Sequence, residues 1–133
     1  MTTDHIAHAR PALPPTVDAF VRAINAFDAQ AASAAFADDA LVNDFAREFW
    51  GKDAIAAFIA KEFVGDRVTM DVTFVDERHR NVTVEAILDG NYPKDGLPNP
   101  LVLTFYFALD AAMIAQLIVV RNKTVATTGR SVP

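Results

Sequence analysis

The sequence predicts an α+β domain in which three N-terminal helices pack on one face of an antiparallel sheet. In the first half of the chain, the hydrophobic residues recur at the spacing of amphipathic helices. From residue 67 onward the period changes to the two-residue alternation of strands. Helices followed by a run of strands are typical of the α+β class, with the helices on one face of the sheet.

The first two helices follow from start signals and from hydrophobic spacing. Pro14 and Pro15 are typical of a helix start. The apolar residues after them share one helical face: Val17, Phe20, Val21, Ile24 and Phe27. Asp28 is a capping residue for a second, short helix with the sequence AQAASAAF, and we expect Asp38 and Asp39 to end that helix in a turn.

A short strand and a third helix come next. The segment ALVNDF, residues 40–45, is a strand candidate in which Asp44 shares one side with Ala40 and Val42. Gly51 then precedes the third helix. One face of that helix carries Ile55, Phe58, Ile59, Glu62 and Phe63.

Four long strands, joined by connectors short enough for hairpins, complete the domain. Their apolar residues are expected to face the helices: Val68, Met70, Val72 and Phe74; Val82, Val84, Ala86 and Leu88; Leu101, Leu103, Phe105, Phe107 and Leu109; and Met113, Ala115, Leu117 and Val119, which share a side with Arg121.

The opposite side of this sheet has a mixed character. It carries polar and apolar residues together: Thr73, Thr83, Glu85, Ile87, Val102, Thr104, Tyr106, Gln116, Ile118 and Val120. A face with this apolar content is expected to be partly buried against a second copy of the chain. We therefore expect a homodimer formed through the outer sheet face, and Tyr106 to serve that contact.

Length and composition narrow the classes of function. The 133 residues fit one domain, predicted over 14–122, between flexible ends at 1–13 and 123–133. The absence of cysteine excludes thiolate nucleophiles and cysteine-ligated metals. A net charge of -5 with scattered basic residues argues against a nucleic-acid or anionic-membrane partner. No apolar run approaches the roughly 20 residues that cross a bilayer, and residues 1–13 lack the apolar centre of a secretory signal, so a cytoplasmic protein is expected.

No motif for a metal or a nucleotide is found. His5 and His8 fall in the N-terminal segment, and His79 falls in a hairpin turn, so none is placed as a buried base or metal ligand. The sequence has no glycine-rich phosphate loop and no GxSxG nucleophile elbow. We therefore expect no metal and no cofactor, and acid–base or binding chemistry remains.

Three segments carry a resemblance to a known superfamily. FADDALVNDF and FWGKDAIAAFIAKEF resemble the helix, strand and helix of the nuclear-transport-factor-2-like superfamily, which includes SnoaL-like polyketide cyclases and ketosteroid isomerases. ILDGNYPKDGLPNPLVLTFYFALDAAMIAQLIV is similar to the strand meander of the SnoaL-like branch. The resemblance covers roughly residues 15–122 and implies a curved sheet wrapped around the helices into a cone with an apolar pocket. The superfamily includes enzymes, ligand binders and protein-binding modules, so the resemblance alone does not identify the activity.

Asp44 is the candidate catalytic residue. The resemblance places it where ketosteroid isomerases carry the carboxylate that moves a proton next to a substrate carbonyl. Independently, its shared side with Ala40 and Val42 predicts that it points into the apolar interior. Desolvation there would raise its pKa and make it a usable base. The alternative is an aspartate at a loop edge that makes a turn hydrogen bond.

The residues that stabilise an enolate in ketosteroid isomerases are not matched. Phe20 stands about where the resemblance implies a tyrosine, and the third long strand, LVLTFYF, contains no acid. Where cyclases have an ionisable residue near the end of the last strand, this chain reads VVRN. Arg121 in that segment could turn towards the pocket, bind an anionic oxygen or pair with Asp44, which would lower the pKa of Asp44. The alternative is a strand-end arginine that reaches solvent.

Five residues are predicted to contact a ligand: Phe20, Trp50, Phe105, Phe107 and Arg121. Trp50 and Phe49 either form the rim of the pocket or pack onto the third helix. Two functions remain open. The first is cofactor-free proton transfer of the isomerase or cyclase type on a small apolar, carbonyl-bearing or polycyclic molecule, with Asp44 as base. The second is a non-catalytic ligand-binding or assembly module on the same fold.

Overall fold

The computed structural model describes residues 11–121, which form three helical segments and six strands. The helices are α1 (Pro15–Asn25), α2 (Ala29–Ala34) and α3 (Lys52–Phe58), and α3 continues as a π-helical segment, Ile59–Val64. The strands are β1 (Phe36–Asp44), β2 (Arg47–Trp50), β3 (Thr69–Arg78), β4 (Asn81–Asp89), β5 (Leu101–Asp110) and β6 (Met113–Arg121). The predicted α+β class is confirmed.

All six strands belong to one sheet with the order β2-β1-β6-β5-β4-β3. Only β1 and β6 pair in parallel, and the other neighbouring pairs are antiparallel. The last strand therefore joins the β3–β5 meander to the hairpin that β1 and β2 form. α1 contacts β3 and β6, and α3 contacts β1 and β2. The face of the sheet that the helices cover is called the inner face below, and the opposite face the outer face.

The helix boundaries follow the predicted signals. α1 begins at Pro15, directly after Pro14, and its apolar face is buried. Asp28 caps α2, because its Oδ1 accepts a hydrogen bond from the backbone N–H of Ala31 at 3.0 Å. Phe27 lies beyond the end of α1 in a left-handed conformation with φ 58°, and the guanidinium of Arg67 lies 3.7 Å from the centre of its ring.

β1 is longer than the predicted strand. The expected turn at Asp38 and Asp39 is wrong, because α2 ends at Ala34 and both aspartates lie exposed within β1. The pairing of β1 with β6 is irregular between Phe36 and Leu41. This irregularity lets the strand bury Phe36 at its start and still leave the two acids in solvent.

Irregular pairing also changes which residues of β3 face inward. Val72 pairs with Ala86, but the next paired residue, Phe74, faces Glu85. The extra residue reverses the alternation, so Phe74 lies on the outer face with 46% exposure, and not on the inner face as predicted.

A second irregularity lies between β5 and β6. Ala108 pairs with Gln116, whereas Leu109 pairs with Ile114. As a result Ile114 is fully buried, and Met113 and Ala115, which were predicted to face the helices, are only half-buried. One extra residue is enough to exchange the two faces of the strand.

The core at the α1 end of the inner face is built from aromatic rings. Phe20 makes edge-to-face contacts with Phe36 and Phe107, with ring centres 5.6 and 5.7 Å apart. Phe105 stacks on Phe107 at 6.3 Å. Asn25 ties α1 to β3, because its side chain exchanges two hydrogen bonds, of 3.0 and 2.7 Å, with the backbone of Met70.

Two sequence predictions concern the ends of the chain. Most of the segments predicted to be flexible, 1–13 and 123–133, and both His5 and His8 lie outside the described residues. Within residues 11–121, no helix is long and apolar enough to span a membrane.

Candidate functional site

Asp44 and Arg47 face each other across a tight hairpin. Asp44 ends β1, Arg47 begins β2, and the two residues are directly paired. Phe45 and Ala46 form the turn with φ values of 53° and 70°, the positive values that two-residue hairpin turns require. Asn43 supports the turn, since its Oδ1 accepts a hydrogen bond from the N–H of Ala46 at 2.9 Å. The hairpin therefore places the carboxylate of Asp44 and the guanidinium of Arg47 side by side on one face of the sheet.

The carboxylate of Asp44 is buried. Asp44 is 7% exposed and shares the inner face with Ala40 and Val42, in the orientation that the sequence predicted. Its Oδ2 accepts a short hydrogen bond from Nη2 of Arg47. Its Oδ1 accepts no hydrogen bond from any residue in 11–121. A buried carboxylate oxygen without a donor is uncommon in proteins, and it marks a place where a proton or a ligand can bind.

Glu62 is the second carboxylate that binds Arg47. Nη1 and Nη2 of Arg47 donate hydrogen bonds of 2.9 and 2.7 Å to the two carboxylate oxygens of Glu62. The guanidinium lies 5.6 and 5.9 Å from the ring centres of Phe49 and Phe58, which stack on each other at 4.4 Å. Arg47 is thus held by two carboxylates and two aromatic rings.

The π-helical segment contributes Glu62 to this group. The N–H of Gly65 donates to the carbonyl of Ala60 at 2.8 Å, which is the five-residue spacing of a π-helix. Glu62 follows Phe58 by four residues, so both side chains lie on the side of the helix that meets Arg47. Such π-helical turns are found most often at functional sites.

The environment shifts the pKa of Asp44 upward. Burial is the largest cause, because it disfavours the charged carboxylate. The hydrogen bond and the positive charge of Arg47 lower the pKa in part, and the negative charge of Glu62 raises it again. The two carboxylates raise the pKa of Arg47 above its already high value, so Arg47 stays protonated. Two acids thus share one permanent cation.

The predicted aromatic ligand contacts lie in different places. Phe20, Phe105 and Phe107 are at most 2% exposed and pack in the core cluster described above. Trp50 pairs with Leu41 on the outer face, is 65% exposed, and its indole N–H donates to Glu48 at 3.0 Å. Trp50 therefore lies on the side of the sheet opposite Asp44. Phe49, its neighbour, packs onto α3 as one of the two alternatives predicted.

Arg121 is exposed at the end of β6. The structure pairs Asp44 with Arg47, so the suggested pairing with Arg121 is not the contact observed. The residue of β6 directly opposite Asp44 is Val119, and its partner on β5 is Phe105. One row of the inner face thus runs from Asp44 through Val119 to Phe105.

Sequence analysis missed Arg47 and assigned no function to Glu62. Both had a signal. Arg47 follows Asp44 by three residues, the spacing that a two-residue hairpin turn brings face to face, but Phe45-Ala46 is not a sequence typical of such turns. Glu62 is the one charged residue among the apolar residues of the face predicted for the third helix. A lone charge on a buried face requires a partner.

The cavities and the acidic groups found in residues 11–121 give no second candidate active site. Among the described residues, no group of three or more acidic or histidine side chains could hold a metal ion. Three concave surfaces of about 200 to 290 Å³ lie away from Asp44. One is under the β4–β5 connection beside Tyr92, one is on the outer face beside Tyr106, and one is beside Arg22 on α1. The apolar pocket expected next to Asp44 stays a prediction.

Comparison with known proteins agrees with this architecture. Residues 17–117 match the family model of the SnoaL-like domain. The chain belongs to the SnoaL-like domain family. No curated protein sequence matches this SnoaL-like chain significantly.

Solved structures with the same fold are numerous. A putative polyketide cyclase from Sinorhizobium meliloti is 25% identical, with a TM-score of 0.72 over 81% of this chain and 95% of that one. A protein with a ketosteroid isomerase-like fold from Catenulispora acidiphila, in complex with trimethylamine, is 21% identical, with a TM-score of 0.70 over 82% and 86% of the two chains. A computationally designed 17-OHP binder is 19% identical, with a TM-score of 0.66 over 80% and 89%.

The chemistry available at Asp44 of this SnoaL-like domain can be stated from the contacts. A carboxylate with a raised pKa and one oxygen that accepts no hydrogen bond from residues 11–121 can accept a proton from a carbon acid. The positive charge of Arg47 is shared between two carboxylates, so it is poorly suited to bind a further anion. The group is therefore better suited to a general base than to an anion-binding site.

Proposed function

We propose that this SnoaL-like protein binds a small, mostly apolar, carbonyl-bearing molecule and moves a proton on it, with Asp44 as the general base. The observation that carries the proposal is the buried side chain of Asp44, whose Oδ1 accepts no hydrogen bond from residues 11–121. Its raised pKa supports the same role, because a base is most effective when its pKa lies near the working pH.

The proposed step is proton abstraction next to the carbonyl group of the ligand. Oδ1 of Asp44 takes the proton, the C–H bond breaks, and its electron pair passes to the carbonyl oxygen as an enolate. Asp44 then returns the proton to another carbon of a conjugated enolate, which completes an isomerisation. Alternatively, the enolate carbon attacks a second carbonyl of the same molecule, whose C=O π electrons pass to its oxygen; this alkoxide takes the proton from Asp44, which closes the ring and restores the base. Neither route needs a cofactor or a metal.

The remaining roles are assigned by position on the inner face. Phe105 and Val119 share the row of Asp44 and are fully buried, so we propose that they form the packed apolar layer behind the ligand site. Arg121 ends β6 two residues beyond Val119 and is the proposed aid to the enolate oxygen, directly or through a water molecule. Phe107 stacks beside Phe105 and contacts Phe20, so we propose that these two rings hold Phe105 in place. Because Trp50 lies on the outer face, we propose for it a role at the subunit contact in place of a ligand contact.

The fold relatives support a ligand-binding role. The Sinorhizobium meliloti protein is described as a putative polyketide cyclase, and the Catenulispora acidiphila protein holds trimethylamine. The designed protein was made to bind 17-OHP. The same fold thus accommodates small organic molecules. We propose that this protein is cytoplasmic and binds a small-molecule ligand. We propose no nucleic-acid partner, because the chain is acidic.

The test is turnover of a cyclic enone or β-keto compound by Asp44→Asn. We expect kcat to fall by about 10²- to 10⁴-fold while the Kd for the ligand stays within about twofold, because only the proton acceptor is lost. Asp110→Asn, at the exposed end of β5, is the matched control and should keep full activity. Unchanged turnover in Asp44→Asn would remove Asp44 from the mechanism. An NMR titration that places Asp44 at or below its ordinary pKa would remove the physical reason for its role.

The second candidate is a non-catalytic ligand-binding or assembly module. It is favoured by the apolar row beside Asp44, in which Val119 and Phe105 supply no second acid.

The homodimer contact predicted from the sequence is a separate proposal, which the outer face supports: Trp50, Phe74 and Tyr106 are 65%, 46% and 45% exposed there. Sedimentation should show a dimer, and Tyr106→Glu should shift it towards monomer by placing a charge in the contact. A chain that sediments only as a monomer at high concentration would contradict this contact.

A further inference from the structure

Arg47 has more donors than Asp44 uses. A guanidinium that meets a single carboxylate tends to bind both of its oxygens through two parallel hydrogen bonds. Here Nη1 and Nη2 of Arg47 form that two-bond arrangement with Glu62, at 2.9 and 2.7 Å. Asp44 receives one further hydrogen bond from Nη2, on Oδ2 alone. Glu62 thus occupies the Nη1–Nη2 edge, one of the two edges through which a guanidinium can bind both oxygens of a carboxylate.

We propose that Glu62 is a positioning residue, which restricts Arg47 to Oδ2 of Asp44 and thereby keeps Oδ1 as the oxygen that accepts the substrate proton. This inference rests on the proposed function of Asp44 as a base. Without Glu62, the guanidinium would turn its Nη1–Nη2 edge to Asp44 and donate one hydrogen bond to each carboxylate oxygen. A carboxylate bound in that way has no free oxygen for a carbon acid and is a weaker base.

The aromatic contacts make this restriction effective. The guanidinium lies 5.6 and 5.9 Å from the ring centres of Phe49 and Phe58 and is bonded to both carboxylates, so these contacts hold its orientation although its side chain is 51% exposed. Phe58 and Glu62 come from the same helical unit, one from α3 and one from the π-helical segment. The helix therefore supplies both the stacking surface and the second acid.

The charged groups around Asp44 can be named element by element. β2 contributes Arg47, and the π-helical segment contributes Glu62. On β6 the residue opposite Asp44 is Val119, and the one charged residue of that strand is Arg121 at its exposed end. A substitution of Glu62 therefore changes the pKa of Asp44 in two ways. It removes the negative charge of Glu62, and it changes the orientation of Arg47.

A double-mutant cycle separates these two effects. The pKa of Asp44 is measured without substrate, by NMR titration of its carboxyl carbon, in the wild type, E62Q, R47K and the E62Q/R47K double variant. Removing the charge of Glu62 lowers the pKa of Asp44 in either background. In the arginine background the pKa should fall further, because the released guanidinium binds both oxygens, whereas a lysine ammonium cannot form two parallel bonds. An equal fall in both backgrounds would overturn the proposal.

Two further measurements complete the test. In E62Q the acid limb of the pH–rate profile should move to lower pH and the plateau kcat should drop, with KM little changed. D18N, which removes the exposed Asp18–Arg22 pair on α1, should change neither the pKa of Asp44 nor the profile.

If E62Q does not fold, E62D replaces it, since the shorter side chain keeps the charge but cannot keep both bonds in place. A pKa of Asp44 in E62D equal to that in the wild type would then contradict the proposal. Because the titrations use no substrate, they remain decisive even if Asp44→Asn retains activity.

Discussion

At the α1 end of the inner face, aromatic rings pack on one another. At the α3 end the face finishes in the buried carboxylate of Asp44, one oxygen of which accepts no hydrogen bond from residues 11–121. Phe20, Phe36 and Phe107 meet edge to face without a polar atom among the side chains. Asp44 is almost as deeply buried, yet its surroundings disfavour its charged form. The same sheet face thus contains a region built for packing and a region that keeps a reactive group.

This difference has an energetic meaning. Burying a phenylalanine side chain stabilises the fold by about 1.5–3 kcal/mol. A carboxylate whose pKa is raised in the folded state does the opposite when it ionises, because part of its hydration is lost. Arg47 offsets a part of that cost and Glu62 adds to it. We infer that the free energy gained by packing the aromatic rings offsets the cost of ionising Asp44 in its buried site.

The largest effect is expected in the aromatic region. Phe107→Ala should lower the free energy of unfolding by about 3–5 kcal/mol, because Phe107 is 2% exposed and contacts two other rings. Urea unfolding measures this loss. Phe45→Ala is the matched control, since it removes the same side chain from the β1–β2 turn, where Phe45 is 47% exposed. A loss of equal size in both variants would show that burial among the aromatic rings does not cause the effect.

Most of the fold could be predicted because local patterns determine it. The face of α1, the cap at Asp28 and the alternation in β4 each depend on neighbours in the sequence, and all three are observed. The errors fall at Asp38 and Asp39, at Phe74 and around Ile114, and each of these lies at an irregularity in the strand pairing. Such irregularities are set by the pairing of distant strands, and a single sequence does not show that pairing.

The site was predicted to a smaller extent. The inward orientation of Asp44 followed from the alternation of β1, which is local. Its partners did not, because the turn Phe45-Ala46 lacks the asparagine or glycine that normally signals a two-residue hairpin. Glu62 reaches Arg47 only because the helix containing it packs on β1 and β2. Contacts of this kind arise from tertiary packing and leave no periodic pattern.

The second prediction concerns the pH dependence of stability in the Asp44 region. The folded-state pKa of Asp44 lies above its ordinary value of 3.8, so the folded state retains a proton that the unfolded state releases. The contribution of Asp44 to stability is therefore full below about pH 3.8 and falls as the pH rises through the folded-state pKa. Asp44→Asn should remove this fall, so its stability relative to the wild type should increase between acidic and neutral pH, as urea unfolding across that range would show.

A carboxylate with the opposite shift provides the control for this sign. Lys94 lowers the pKa of Asp89 through a hydrogen bond and its charge, so Asp89 stabilises the fold above its unfolded pKa and loses that effect as the pH falls. Asp89 is fully exposed, so Asp89→Asn should give a weak dependence of the opposite sign. Parallel pH dependences for Asp44→Asn and Asp89→Asn would contradict the burial argument for Asp44.

The smallest predicted effect tests whether the turn beside Asp44 stores strain. Ala46 has φ 70°, a left-handed conformation that costs an alanine about 1–2 kcal/mol and a glycine little. Ala46→Gly should stabilise the protein by about 0.5–1 kcal/mol after the larger chain entropy of glycine is subtracted. Ala57→Gly, at an exposed position within α3, should destabilise it by about the same amount. A loss of stability in both variants would mean that Ala46 is not strained. Because β1–β2 pairing and the hydrogen bond from Ala46 to Asn43 persist with glycine, the pKa of Asp44 should stay unchanged, and a shifted pKa would show that the turn conformation itself positions Arg47.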